Sequence, residues 1–232
     1  MKRNNINIII LTMNDVFYYS YENKQYLVCV TYKKSRTISY HFRDGKFVIY
    51  APKRTKKEII IKGLDKFASR LIDSPFNKAT NEEYLYLLGQ RINLSSISEI
   101  NFNNGNKITF KNREELNKKL KKWFLEIMKK RTTYYQKLMN ISSNIVVKVR
   151  KMTTRYGSNS IYRSKNENHI TYNTFLMHYC YDIIDAIIVH ELAHCFIHGH
   201  GNDFYKVVYK YCPNYKQLHK YLVEGDFNGK NN

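Results

Sequence analysis

The sequence predicts an α+β protein: an N-terminal antiparallel β-sheet with a packed helix, then a mainly helical C-terminal half. Three observations carry that prediction. The first fifty residues hold short runs rich in Val, Ile, Tyr and Thr, and Asp44-Gly45 marks a hairpin turn between two of them. From Asn112 onward the apolar residues recur at helical spacing. Near the C-terminus, residues 182–197 are almost continuously apolar, and that run contains two histidines and a glutamate.

Taken in order, Tyr26 to Tyr32, Thr37 to Phe42 and Lys46 to Tyr50 read as strands, and Ala51-Pro52 ends the third of them. Lys56 to Ile72 places Ile59, Ile60, Leu64, Phe67 and Leu71 at helical spacing, which predicts a helix packed on that sheet. Strand-like pieces follow at Tyr84 to Leu94 and Lys107 to Phe110. Asn112 and Glu115 resemble a capping box, and Leu116, Leu120, Trp123, Phe124, Ile127 and Met128 then form one stripe of a long helix ending near Met139. Ile145 to Val149 and Ile170 to Asn173 read as strands. This divides the chain into a β-rich domain over 1–110, a helical domain over 111–225 and a disordered tail over 226–232.

Composition narrows the function. With 232 residues, 43% of them hydrophobic, the chain can bury one or two real cores, which excludes a fibrous or disordered protein. Thirty-nine Lys and Arg against 19 Asp and Glu give a net charge of +20, which favours anionic partners, nucleic acid among them. Lys, Asn, Ile and Tyr are abundant together, as in an AT-rich genome, so part of that basicity is codon bias. The basic face of the long helix, Lys118, Lys119, Lys121, Lys122, Lys129, Lys130 and Arg131, reads first as a solvated surface. Cys29, Cys180, Cys195 and Cys212 are widely spaced, without a Cys-x-x-Cys pair, and fit a reducing interior. The apolar run Ile8 to Leu11 is too short for a signal peptide or a membrane span, so a cytoplasmic location off the membrane is expected.

The chemistry is concentrated in His190-Glu191-Leu192-Ala193-His194. Two histidines four residues apart share a helical face about 6 Å apart along the axis, so both imidazoles reach one Zn²⁺. Glu191 then stands beside the water that such an ion activates, as general base. With 8 His in the chain, chance yields roughly 0.01 copies of this pattern. Two imidazoles and a carboxyl in an apolar helix are also costly to desolvate unless paired or metal-bound.

A catalytic zinc takes a third protein ligand, and His198, His200, Asp203 and His219 are the candidates. If the helix persists, His198 lies about 12 Å along the axis from His190, too far for convergence. Gly199 can break the helix and return the chain, which selects His200. Cys195 points about 100° away from His194 and reads as a core residue. Tyr156, Tyr172 and Tyr205 are all open as oxyanion donors.

This motif, the five residues to His200, Phe204 and Pro213-Asn214-Tyr215-Lys216 together resemble the YgjP-like metallopeptidase domain, which is related to SprT-type zincins. Arg36-Thr37-Ile38-Ser39, Asp44 to Val48, Ala51 to Arg54, Leu87-Leu88-Gly89, Asn173, Leu176 and Asp185 extend the resemblance along nearly the whole chain. It implies a zincin-like C-terminal domain with His190, His194 and His200 on one Zn²⁺ and Glu191 as acid/base. The family's Arg-Trp-Gly-Ser-Cys-Ser segment appears here as Arg155-Tyr156-Gly157-Ser158-Asn159-Ser160, with Trp and Cys replaced. The segment reads as a turn supporting the site, with Arg155 and Tyr156 as substrate contacts.

The expected function is therefore zinc-dependent hydrolysis of a polypeptide, acting near nucleic acid if the basic surface binds it. A metal-dependent nucleotide pyrophosphatase is the alternative hydrolase, weakened by the lack of a Gly-rich phosphate loop. A non-catalytic, zinc-containing nucleic-acid-binding module is the third reading. An intact Glu191 argues against it, because a structural site needs no base.

Overall fold

The computed structural model describes residues 14–229 except 44, 82, 96, 97, 103, 104 and 153, so the Ile8–Leu11 run and residues 230–232 lie outside the described residues. The chain is α+β and divides into two compact units between Lys78 and Ala79.

The first unit holds β1 (Asn14–Tyr21), β2 (Lys24–Lys33), β3 (Ser39–Arg43), β4 (Lys46–Pro52), α1 (Lys57–Ile72) and the short α2 (Pro75–Lys78). Its sheet runs β1-β2-β4-β3 and is mixed, not antiparallel as expected, because β2 pairs with β4 in parallel. Burial explains the order. β4 alternates buried Phe47, Ile49 and Ala51 with half-buried residues, whereas β3 has no fully buried position. The more apolar strand takes the inner place and β3 is left at the edge. Gly45, at φ 71°, supplies the left-handed turn of the β3-β4 hairpin. α1 lays Ile60, Leu64 and Ala68 on Val28, Val30, Phe47 and Ile49; the helix is the expected one, but Ile59 of the expected stripe faces outward and is 53% exposed, with Ala68 buried on the inner face. Gly63 is required inside that helix because the Tyr40 ring fills the space its Cβ would occupy.

The second unit begins earlier than the expected boundary at residue 110. The hairpins β5 (Tyr84–Leu87) with β6 (Gln90–Asn93) and β7 (Glu99–Asn101) with β8 (Lys107–Thr109) belong to it, since Leu85, Leu87, Ile100 and Ile108 are buried in its core. Leu88 and Gly89 at positive φ make the tight β5-β6 turn, whose N–H groups donate to the carbonyls of Met177 and His178. α3 (Arg113–Leu138) follows, and Asn112 Oδ1 accepts from the Glu115 N–H at 2.9 Å. The Glu115 carboxylate reaches back to the Lys111 N–H, one residue before the place a capping box would use. Leu116, Leu120, Phe124 and Met128 form the buried stripe, and Glu114, Glu115 and Glu126 pair with Lys118, Lys119 and Lys129 on the exposed face.

β9 (Asn144–Arg150), β10 (Gly157–Tyr162) and β11 (Glu167–Asn173) make a sheet of order β10-β11-β9, with β10 at an edge. Residues 157–160, expected as a turn, are thus strand. α4 (Tyr181–Ala193), α5 (Asn202–Tyr211) and α6 (Tyr215–Glu224) complete the unit. The expected tail is packed as far as it is described, because Phe227 is buried and its carbonyl accepts from the Cys180 N–H at 2.8 Å. No helix among the described residues is long and apolar enough to cross a membrane.

Candidate active site

α4 is positioned from both ends. Ile183, Ile184, Ile187, Ile188, Val189 and Leu192 bury it on nearly all sides, as the sequence predicts. Near its start, Asp185 takes a two-pronged ion pair from Arg131 of α3 and accepts from the Tyr135 hydroxyl at 2.9 Å. Its C-terminus comes earlier than Ile197, because the last helical residue is Ala193. The Cys195 N–H turns to Leu192 O, three residues back, which leaves the Glu191 carbonyl without its usual helical donor. The side chain of Asn159 supplies one, with Nδ2 donating at 2.9 Å, and buried Asn168 in turn donates to Asn159 Oδ1 at 3.1 Å. The helix therefore breaks at His194, ahead of Gly199, and the following turn brings residue 200 back.

That turn brings three imidazoles together. The ligand-capable atoms of His190, His194 and His200 all lie within 4.8 Å of one another, and the His190 and His200 Nε2 atoms are 3.2 Å apart. About 3.3 Å separates two nitrogens that sit roughly 2.05 Å from one tetrahedral ion, so the pair fits zinc. The other ring nitrogens are engaged. His190 Nδ1 is 2.8 Å from the Tyr215 hydroxyl of α6, and His194 Nδ1 is 3.1 Å from Ile197 O. Both rings thus turn Nε2 inward, as imidazoles do when an outer partner fixes the tautomer of a metal ligand. Phe204 of α5, fully buried, packs against all three rings with centroids 4.6–5.0 Å away. Burial and the neighbouring His194 and His200 push His190 down to about 3, and burial also lowers His194, so both stay neutral and able to bind a cation.

Glu191 is 4% exposed, and its Oε2 has no hydrogen-bond partner. A buried polar atom left open in this way is uncommon and points to a partner that arrives with function. Burial raises its carboxyl to about 8, and the nearby Arg155 guanidinium pulls the other way. Gly157 of β10 lies against this carboxyl. A Cβ there would stand 2.7 Å from both Cγ and Cδ of Glu191, so only glycine leaves the side chain in place.

Of the remaining sequence candidates, Arg155 is exposed and electrostatically coupled to Glu191. Tyr156 instead offers its hydroxyl to Leu222 O at 3.4 Å and packs near Phe175. Tyr172 is fully buried against Thr132, and Tyr205 is only half-buried. His198 meets Arg163, Asp203 pairs with Lys206, and His219 lies beside the Tyr215 ring on α6. Sequence reasoning missed the roles of Tyr215, Asn159 and Asn168. Asn173 gave a signal only as part of the family resemblance. It is buried, and its amide donates to the carbonyls of Met152 and Arg155 at 2.9 Å each, which fixes the approach to β10.

A helix that presents two inward imidazoles and a buried, open carboxyl, with a third imidazole folded back to them, offers the groups a metal-dependent hydrolase needs. The family comparison makes this particular: residues 46–224 match the YgjP-like metallopeptidase domain, and the chain belongs to that family. The match begins within β4 and ends with α6, so it spans the boundary between the two units. Among solved structures, the metallopeptidase zymogen jannalysin of Methanocaldococcus jannaschii is similar, at 19% identity over 41% of this chain and 97% of that one, with a TM-score of 0.34. Among curated proteins, none matches this chain.

Proposed function

We propose that the protein is a zinc-dependent peptidase in which His190, His194 and His200 hold the ion and Glu191 moves the proton. The observation that carries this is the convergence of three imidazole nitrogens beside a buried carboxyl whose Oε2 lacks a partner. When bound there, Zn²⁺ would supply a Lewis acid that acidifies water and polarises a carbonyl. Glu191 accepts the proton from the attacking water at its open oxygen, the C–O bond forms, and Glu191 delivers that proton to the nitrogen as the C–N bond breaks. Arg155 favours the carboxylate form needed at the start. Tyr215 and the Ile197 carbonyl hold the two helix imidazoles in the ligand tautomer, and Gly157 keeps the space the carboxyl occupies.

A polypeptide suits the surroundings. β10 is the outer strand of its sheet, directly beside Glu191, and an extended peptide can pair with such an edge. The test is metal analysis together with hydrolysis of an unfolded protein by wild type, Glu191→Gln and His194→Ala. About one zinc per chain is expected in wild type and Glu191→Gln, cleavage in wild type only, and loss of metal from His194→Ala. Full cleavage by Glu191→Gln would refute the proton-transfer role, and metal-free wild type after zinc reconstitution would refute the site.

A further inference from the structure

Beyond His194 the surface opens into a cavity of about 420 Å³. Its walls come from the turn after α3, the β10-β11 hairpin and the turn after α4, and include Ser142, Arg163, Asn166, His194, Phe196 and His198. The one carboxylate on this wall, Glu167, is already engaged by His169 at 3.1 Å and by Asn144. The Arg163 guanidinium has no acidic partner in the cavity; instead it donates to His198 Nε2 at 3.3 Å. That contact holds one prong of the fork and leaves other N–H groups open. The cavity therefore combines an exposed guanidinium, in contact with His198, with neutral amide and hydroxyl donors, the chemistry that receives a carboxylate. It shares His194 with the histidine cluster and meets the end of β10 at Ile161 and Tyr162, within reach of a substrate that extends along β10 past the histidines.

We propose that this cavity is a subsite for a carboxylate of the substrate, with Arg163 as its recognising group. The inference rests on the peptidase reading and adds a preference to it: substrates carrying an Asp or Glu side chain, or a free C-terminal carboxylate, a few residues from the scissile bond. The +20 charge of the whole chain draws such substrates in but does not choose among them, whereas Arg163 does.

The test uses the full-length zinc-loaded chain and a set of peptides differing at one scanned position, Glu, Gln or Lys, each with a free and an amidated C-terminus. Binding to Glu191→Gln and kcat/KM with intact Glu191 are both measured. At one position Glu should exceed Gln by roughly tenfold in both readouts, as a charge-assisted bond allows. Adding Arg163→Glu should reverse the order to Lys over Glu, with zinc content unchanged. A preference that survives amidation identifies a side chain as the source, and one that amidation abolishes identifies the C-terminus. An unchanged ranking in Arg163→Glu, or no charge dependence in wild type, overturns the subsite while leaving peptidase activity standing. A zinc-loaded wild type that cleaves no peptide and no unfolded protein overturns the peptidase reading, and the subsite with it.

Discussion

α4 carries two buried carboxyl groups that are treated in opposite ways. Asp185, 8% exposed, is met by the Arg131 guanidinium and the Tyr135 hydroxyl, and the pair ties α4 to α3. Glu191, 4% exposed and less than two turns further on, has an oxygen with no partner and a carboxyl raised by burial. The first arrangement is what stability asks of a buried charge. The second costs stability, and the proposed function gives it a use: the open oxygen would exchange a proton with what binds beside it. One helix therefore separates anchoring from chemistry: its N-terminal half is fixed by charge pairing, and its C-terminal half is gripped from outside by β10 and α6.

The largest effects should separate those two carboxyls. Glu191→Gln is expected to lower kcat about 10²–10⁴-fold with zinc retained and the melting temperature unchanged or higher. Asp185→Asn should leave zinc chemistry in any folded molecule but cost roughly 2–3 kcal/mol, less than a fully buried pair because the Arg131 side chain is 32% exposed. Kinetics and thermal unfolding of the two variants side by side would break the comparison if Asp185→Asn lost turnover without losing stability.

Much of this region was legible beforehand for a physical reason. The helix signal and the His-Glu-x-x-His spacing are local, fixed by 3.6 residues per turn, and so were the stripes of α1 and α3. His200 was reachable because only a returning chain could deliver a third imidazole, although the break falls at His194 and not at Gly199. What escaped is long-range. Tyr215 lies 25 residues from His190 and Asn159 lies 32 from Glu191, and a tyrosine among 21 or an asparagine on a strand has no periodicity that marks its partner. The parallel β2-β4 pair failed for the same reason, since nothing local tells β4 to insert beside β2 while β3 moves to the edge. The unit boundary was misplaced because hairpins 84–93 and 99–109 look like the preceding strands, yet bury their apolar faces on the later helices.

Those long-range grips supply the next tests. Tyr215→Phe removes one hydroxyl from His190 Nδ1 and keeps the ring, so zinc affinity should fall roughly 10–100-fold in chelator competition, with little change in melting temperature of the metal-free protein. Unchanged affinity would reduce Tyr215 to packing. Gly157→Ala inserts a Cβ against the Glu191 carboxyl, and kcat should fall about tenfold with metal content and KM nearly constant. A variant that loses zinc instead would show that β10 supports the imidazoles more than the carboxyl.

The smallest effect is thermodynamic and isolates Glu191 from its neighbours. In metal-free protein its carboxyl titrates near 8, against 4.5 ordinarily, so between those values the folded chain holds a proton that the unfolded chain has released. Stability then falls as pH rises through this window. His190, lowered to about 3, and His194, also lowered, act in the other direction, since the unfolded chain gains their protons as pH falls below about 6.5. Glu191→Gln keeps both histidines, so their contribution cancels when the two metal-free proteins are compared. The melting temperature of Glu191→Gln minus that of wild type should therefore widen from pH 5 to pH 8. Saturating zinc should narrow it again, because a dication beside the carboxyl favours its ionised form. A difference that stayed flat with pH would mean that Glu191 reaches water in the metal-free protein, and the contrast with Asp185 would then rest on geometry alone.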